Sequence, residues 1–212
     1  MPASAALTAD AALQVLGAAE KRGYAACVIL KVEGRKDVYA WQRKTPGYPS
    51  ECMVGALQLF GGNAEDGDAN ARETLVRELH EEFPTQVAAS IVSTLKPFAR
   101  YVVESPLEAM APRPYTYNFT ACVFSATLPS EAIGGEVYEG TLETMTLAEL
   151  TASSDDEPRF CWAYHVPFAH FLEDKAGALA QPISARRACH CTATRVAANA
   201  DIGSWESGEM WQ

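Results

Sequence analysis

The sequence predicts a chain that mixes β-strands with α-helices, and three observations carry that expectation. Residues 25–32 (AACVILKV) form an almost unbroken apolar run, the mark of a strand buried on both faces. Residues 115–126 (YTYNFTACVFSA) are aromatic and β-branched with prolines on both sides, a second strand signal. Between them, residues 71–83 repeat apolar side chains at helical spacing, with Leu75, Val76, Leu79 and Phe83 on one stripe.

The chain opens with residues 8–22, an amphipathic helix ending in Lys21, Arg22 and Gly23, which suit a helix C-terminus. After the strand at 25–32, Glu33 and Gly34 make a turn and residues 37–43 return as its partner. Residues 45–53 hold Pro46, Gly47 and Pro49, a loop leading to a short strand at 57–60. The next helix has Asn70 as N-cap and Glu73 three residues on, a capping box that starts it near Ala71. Pro84 ends it near Phe83, because the residue before a proline avoids helical geometry. Residues 88–103 are expected to supply one or two strands, broken at Lys96 and Pro97. Residues 106–114, with three prolines, read as an exposed loop able to serve as a lid.

Helix 71–83 concentrates acid on one side. At about 100° per residue, Glu81 and Glu82 lie at about 300° and about 40° from Glu78, within an arc of roughly 100°. Like charges at this spacing repel, and a hard divalent cation reverses that cost. Oxygen-only ligands suit Mg²⁺ or Mn²⁺, ions that also clamp phosphate oxygens and activate water.

The stretch GGNAEDGDANARETLVRELHEEFP (61–84) resembles the signature of the Nudix hydrolases, G-x5-E-x7-R-E-U-x-E-E-x-G-U with U apolar. Gly62, Asp68, Arg77-Glu78-Leu79 and Glu81-Glu82 carry the likeness. Three positions depart from it. Asp68 stands for the first Glu, one extra residue separates it from Arg77, and Pro84-Thr85 replaces the late Gly and apolar pair. The departures leave the acidic face of the helix intact.

The resemblance implies an α/β/α sandwich around a mixed β-sheet. The hydrolase domain is expected over 23–175, between an N-terminal helix over 1–22 and a C-terminal extension over 176–212. The resemblance assigns Glu78, Glu81, Glu82 and the Gly62 carbonyl as metal ligands, Arg77 as the residue that orients a carboxylate, and Glu82 and Glu81 as the catalytic acids, with Glu82 the expected base. The expected reaction is cleavage of a diphosphate bond in a small nucleotide derivative, such as a dinucleoside polyphosphate or a nucleotide sugar. Arg43, Lys44 and Tyr48 on the loop after the second strand, and Tyr101 beyond the signature, are candidate substrate contacts; the alternative for each is an ordinary loop or packing residue. Glu136, Glu139 and Glu143 are candidates for a base or further ligand on a late loop. Residues 160–174 resemble the helix that backs such a sheet, where His165 and His170 read as structural. Many members of the family are homodimers, so a homodimer is a further expectation.

Composition bounds the partners. Net charge is −10 and the pI about 4.9, which argues against bulk electrostatic capture of DNA or acidic membrane. Inositol pyrophosphate or capped RNA is the alternative substrate, and requires Arg35, Lys36, Arg43, Lys44, Arg72 and Arg100 to converge. A non-catalytic ligand-binding module and an isoprenyl diphosphate isomerase using Cys52 or Cys122 are further alternatives. The six cysteines show no disulfide spacing, and with no leader pattern or membrane span the chain is expected to be cytoplasmic. Cys189-His190-Cys191 lacks a second ligand pair and reads as ordinary residues rather than a zinc site.

Overall fold

The computed structural model describes residues 23–48, 51–105, 117–151, 159–176, 186–187 and 191–197. The predicted helix 8–22, the proline loop 106–114, Cys189 and His190 lie outside them.

Strand β1 (Tyr24–Val32) is the axis of the molecule. Strand β6 (Tyr117–Leu128) runs parallel along its whole length, from Tyr24 opposite Thr120 to Val32 opposite Leu128. Its other edge is shared by two antiparallel strands, β4 (Phe60–Asn63) beside Ala25 to Val28, and β2 (Val38–Arg43) beside Leu30 and Lys31. Strand β5 (Lys96–Ser105) continues the sheet from β6, and β10 (Thr192–Ala197) closes that side against β5. On the far side β2 pairs with β3 (Leu57–Gln58) and β7 (Thr141–Thr146), and β3 leads to the short β8 (Arg159–Phe160) and β9 (Arg186–Arg187).

Alternation along β1 divides the core in two. Ala26, Val28, Leu30 and Val32 face helix α1 (Ala71–Glu82) and helix α2 (Thr85–Ser93), packing with Phe60, Leu75, Leu79, Phe83, Ile91 and Phe124. Ala25, Cys27 and Ile29 face the other layer, where Trp41, Phe160, Phe168, Phe171 and Leu172 gather under helix α4 (His165–Ala176). Helix α3 (Leu147–Thr151) contributes Leu150 to the same layer. Phe168 meets Tyr39 and Trp41 edge-on at 4.7 and 5.0 Å between ring centroids. Each fully buried Leu or Phe stabilises the fold by roughly 1.5–3 kcal/mol through removal from water. Helices on both faces of a mixed sheet are the expected sandwich.

Helix α1 starts where the capping box places it. Asn70 accepts the Glu73 N–H at 2.9 Å, and Phe83 is the C-cap in extended conformation before Pro84. The reciprocal bond differs slightly, since the Glu73 carboxylate takes the N–H of Ala69.

Three expectations change. Residues 85–93 are helix rather than strand: Val87, Ala88, Ile91 and Val92 are spaced to cover one helical face, and that burial overrides their β-branched preference. Pro97 does not break a strand but sits in β5 at a register shift between Pro97 and Ala99, where its missing N–H is tolerated. The helix expected over 160–174 begins at His165, not Phe160, because Trp162 and Ala163 take positive φ (51° and 57°) and interrupt it.

Candidate active site

The acidic helix and the glycine turn before it meet at Glu82. Glu82 is only 2% exposed, and both carboxylate oxygens are held. Oε2 accepts the backbone N–H of Gly61 at 2.9 Å, and Oε1 accepts the side-chain amide of Gln42 at 2.8 Å. Gly61 reaches this position with φ of +121°, and a Cβ there would run into the carbonyl of Ala26 on β1. Only glycine fits that approach.

Gly62 has a different neighbour. A Cβ on it would lie 2.5 Å from the carboxylate of Glu78. The missing side chain is therefore the space that Glu78 occupies. One turn of helix and two glycines thus set Glu78 and Glu82 side by side over β4.

Arg77 ties the surrounding acids together. Its guanidinium donates to Asp68 at 3.2 and 3.0 Å, to Glu78 at 2.9 Å, to Glu81 at 3.2 Å and to the carbonyl of Asn63 at 2.8 Å. It spans the whole loop between the glycine turn and the helix. Burial raises the Asp68 carboxyl, but hydrogen bonds from Arg77, Glu65 and Thr74 outweigh it and leave Asp68 below the usual carboxylate range. The extra residue in this loop is accommodated without losing the Asp68–Arg77 pair.

For the two inner acids burial prevails. It pushes Glu82 up to about 8 against the Gly61 N–H and Lys44, with Glu78 and Glu139 adding to the rise. It also raises Glu78 against the pull of Arg77, with Glu81 and Glu139 adding repulsion.

Lys44 answers part of this acidity. It is 7% exposed, its ammonium donates to Oε1 of Gln42, and it lies over the Tyr48 ring at 4.6 Å. Burial lowers its affinity for a proton, while Glu82, Cys161, Glu139 and Glu78 pull the other way. Gln58 stands across from Gln42 on β3 with its amide oxygen buried and without a partner among the described residues. Sequence reasoning missed both glutamines. The available signal was a polar residue inside a strand otherwise built of apolar ones, on the same face as Ala40 by two-residue alternation.

The structure brings together Gly62, Arg77, Glu78, Glu81, Glu82, Lys44 and Tyr48. It does not bring Arg43 or Tyr101 to them. Arg43, which alternates to the other face of β2, makes a two-pronged ion pair with Glu143 and donates to the Gly55 carbonyl. Tyr101 is fully buried under α4 with its hydroxyl 3.1 Å from Nδ1 of His170, a packing role for both. Of the late acids, Glu143 is spent on Arg43. Glu139 offers its carbonyl to Gln42 at 3.2 Å, and its charge bears on Glu78 and Glu82. Cys122 is buried in the core beside Ala26.

The donor set fits a hard cation. It is oxygen-only, it includes two carboxylates that burial makes reluctant to ionise alone, and a bound positive charge relieves their repulsion. Among the described residues no three His, Cys, Asp or Glu side chains are already gathered as ligands. The reason is visible in the contacts: Glu81 leans out to Arg77, while Glu82 is drawn to Gln42 and Gly61.

No protein-family model and no curated protein matches the chain. Similar solved structures include the MutT protein from Methanosarcina mazei Go1, with a TM-score of 0.47 and 18% identity over 72% of this chain and 93% of that one. The Escherichia coli dihydroneopterin triphosphate pyrophosphohydrolase gives a TM-score of 0.40 and 19% identity over 61% of this chain and 82% of that one. A Nudix hydrolase from M. smegmatis gives 0.35 and 17%, over 59% of this chain and 71% of that one.

Proposed function

We propose that this protein is a metal-dependent hydrolase of the Nudix type, acting on a diphosphate bond in a small nucleotide derivative. The observation that carries the reading is the buried carboxylate of Glu82, held by Gly61 and Gln42 beside Glu78 at the end of a motif whose Arg77 braces the acids. A solvated helix of the same composition has no reason to bury an acid there.

Glu78, Glu81, Glu82 and the Gly62 carbonyl would hold Mg²⁺ or Mn²⁺. The chemistry that ion supplies is neutralisation of charge on the diphosphate oxygens. Glu82 takes a proton from water as the water oxygen attacks phosphorus. The P–O bond to the leaving phosphate breaks in line, and that group departs with the bonding electron pair. Arg77 keeps Glu78 and Glu81 oriented, and Lys44 offsets negative charge on the strand side of Glu82.

Phosphate release from a panel of nucleoside triphosphates, ADP-ribose, NADH, dinucleoside polyphosphates, capped RNA and an inositol pyrophosphate, with Mg²⁺ or Mn²⁺ and again with chelator, tests the reading. Chelator-sensitive turnover of a nucleotide derivative supports it. Binding of a panel member with no turnover under any metal points to a ligand-binding module instead.

A further inference from the structure

We propose that Gln42 is a positioning residue that sets the orientation of the Glu82 carboxylate for cation binding, an inference that rests on the hydrolase reading above. Gln42 is fully buried on β2, a strand that carries none of the signature residues. Its amide is fixed at both ends. Lysine has only donors, so the Lys44 ammonium must meet the amide oxygen, and the NH₂ group is thereby turned toward Glu82. The amide cannot flip without facing Lys44 with a donor and Glu82 with an acceptor.

The same NH₂ group also donates to the carbonyl of Glu139 at 3.2 Å. That contact depends on a close approach. Gly140 has φ of +66°, and a Cβ on it would meet the Arg43 carbonyl at 2.7 Å and Cγ of Gln42 at 3.0 Å. On the far side of the loop, the Tyr138 N–H donates to the main-chain carbonyl of Glu82 at 2.9 Å. Gln42 and the loop of residues 138–140 therefore grip the end of α1 from two directions, one through its side chain and one through its backbone.

The grip leaves Glu82 competent as a ligand. A carboxylate has about four lone-pair sites. One on Oε1 is used by Gln42 and one on Oε2 by Gly61, so one on each oxygen stays free, pointing in directions those two donors determine. Outer partners of this kind typically govern metal affinity by about 10–100-fold.

The test is Mn²⁺ binding alone, followed by the electron paramagnetic resonance of free ion, in wild type, Glu82→Gln and Gln42→Met, with thermal unfolding of each. The expected result is saturable binding in wild type, its loss in Glu82→Gln, and binding weakened by about 10-fold or more in Gln42→Met, which stays folded at a lowered melting temperature because Lys44 and Glu82 each lose a buried partner. Wild-type affinity in folded Gln42→Met overturns the inference and leaves the hydrolase reading standing. Mn²⁺ binding that is indifferent to Glu82→Gln overturns both. If Gln42→Met fails to fold, the side-chain amide resonances of Gln42 in ¹⁵N-labelled wild type decide the matter: they are expected to shift on adding Mg²⁺, and resonances that stay in place overturn the inference.

Discussion

Gly61 and Glu82, 21 positions apart, are joined by one hydrogen bond of 2.9 Å from the backbone N–H of the first to Oε2 of the second. It closes the glycine turn and the acidic helix into a single unit. The two adjacent glycines serve that unit differently, and substitution separates their roles. Alanine at Gly61 forces a side chain into β1 at a φ that L-residues rarely adopt. Gly61→Ala is expected to destabilise the fold by about 3 kcal/mol or more, read from the denaturant midpoint. Gly62→Ala meets only the movable end of Glu78. It is expected to cost less than about 1.5 kcal/mol while displacing Glu78 and weakening Mn²⁺ binding about 10-fold or more.

Arg77→Lys is a second probe. The guanidinium reaches Asp68, Glu78, Glu81 and the Asn63 carbonyl together, a fan that a single ammonium cannot reproduce. Activity is expected to fall about 10–100-fold with a modest loss of melting temperature. Retained activity would remove Arg77 from the account.

Gln58 carries a buried amide oxygen without a partner among the described residues. Replacing such a group by an apolar one of similar shape is neutral or stabilising. Gln58→Met is therefore expected to keep or raise the melting temperature. A marked drop would mean that the oxygen is satisfied in solution.

Strand β10 is pinned to α4 by Arg195 and Asp174 at 2.8 Å, with Arg195 also over the Phe98 ring. The hydrogen bond from Arg195 outweighs burial and holds the Asp174 carboxyl below its usual range. A depressed carboxylate contributes stability above its unfolded pKa of about 3.9, and that contribution is lost as pH falls through the folded value. Asp174→Asn is expected to cost about 0.2–1 kcal/mol at pH 7, since the pair is partly exposed, and to match wild type at the acid end of a pH series of melts. An equal penalty at every pH would assign the effect to packing.

Thiol reactivity checks the core. Burial pushes Cys122 up to about 12 and raises Cys27 further, so neither forms thiolate near neutrality. Iodoacetamide at pH 8 is expected to leave both unmodified in native protein and to modify both in urea, as read by peptide mass.

Much of this was legible in the chain. The apolar run of β1, the cap at Asn70 and the stop at Pro84 are local signals, and local physics decides them. The carboxylate face needed only helical periodicity. What was not legible depends on contacts far apart in sequence. Val87 and Ile91 favour a strand by type, and only the surface offered by Phe124 and Leu128 makes a helix of them. Tyr101 and Arg43 have the chemistry of substrate contacts, but His170 and Glu143, 69 and 100 positions away, already hold them. Gln42 was hidden for the converse reason. Its role comes from Glu82, 40 positions on, and nothing beside it in the sequence announces that partner.

The most direct measurement is the Mg²⁺-dependent hydrolysis rate of wild type against Glu82→Gln on whichever nucleotide derivative is turned over fastest. Loss of a positioned base predicts a fall of about 10²–10⁴-fold in a variant that stays folded with a lowered melting temperature, since the new amide sets its NH₂ against either the Gly61 N–H or the Gln42 amide. A rate within a few-fold of wild type would contradict the assignment of the reaction to this helix.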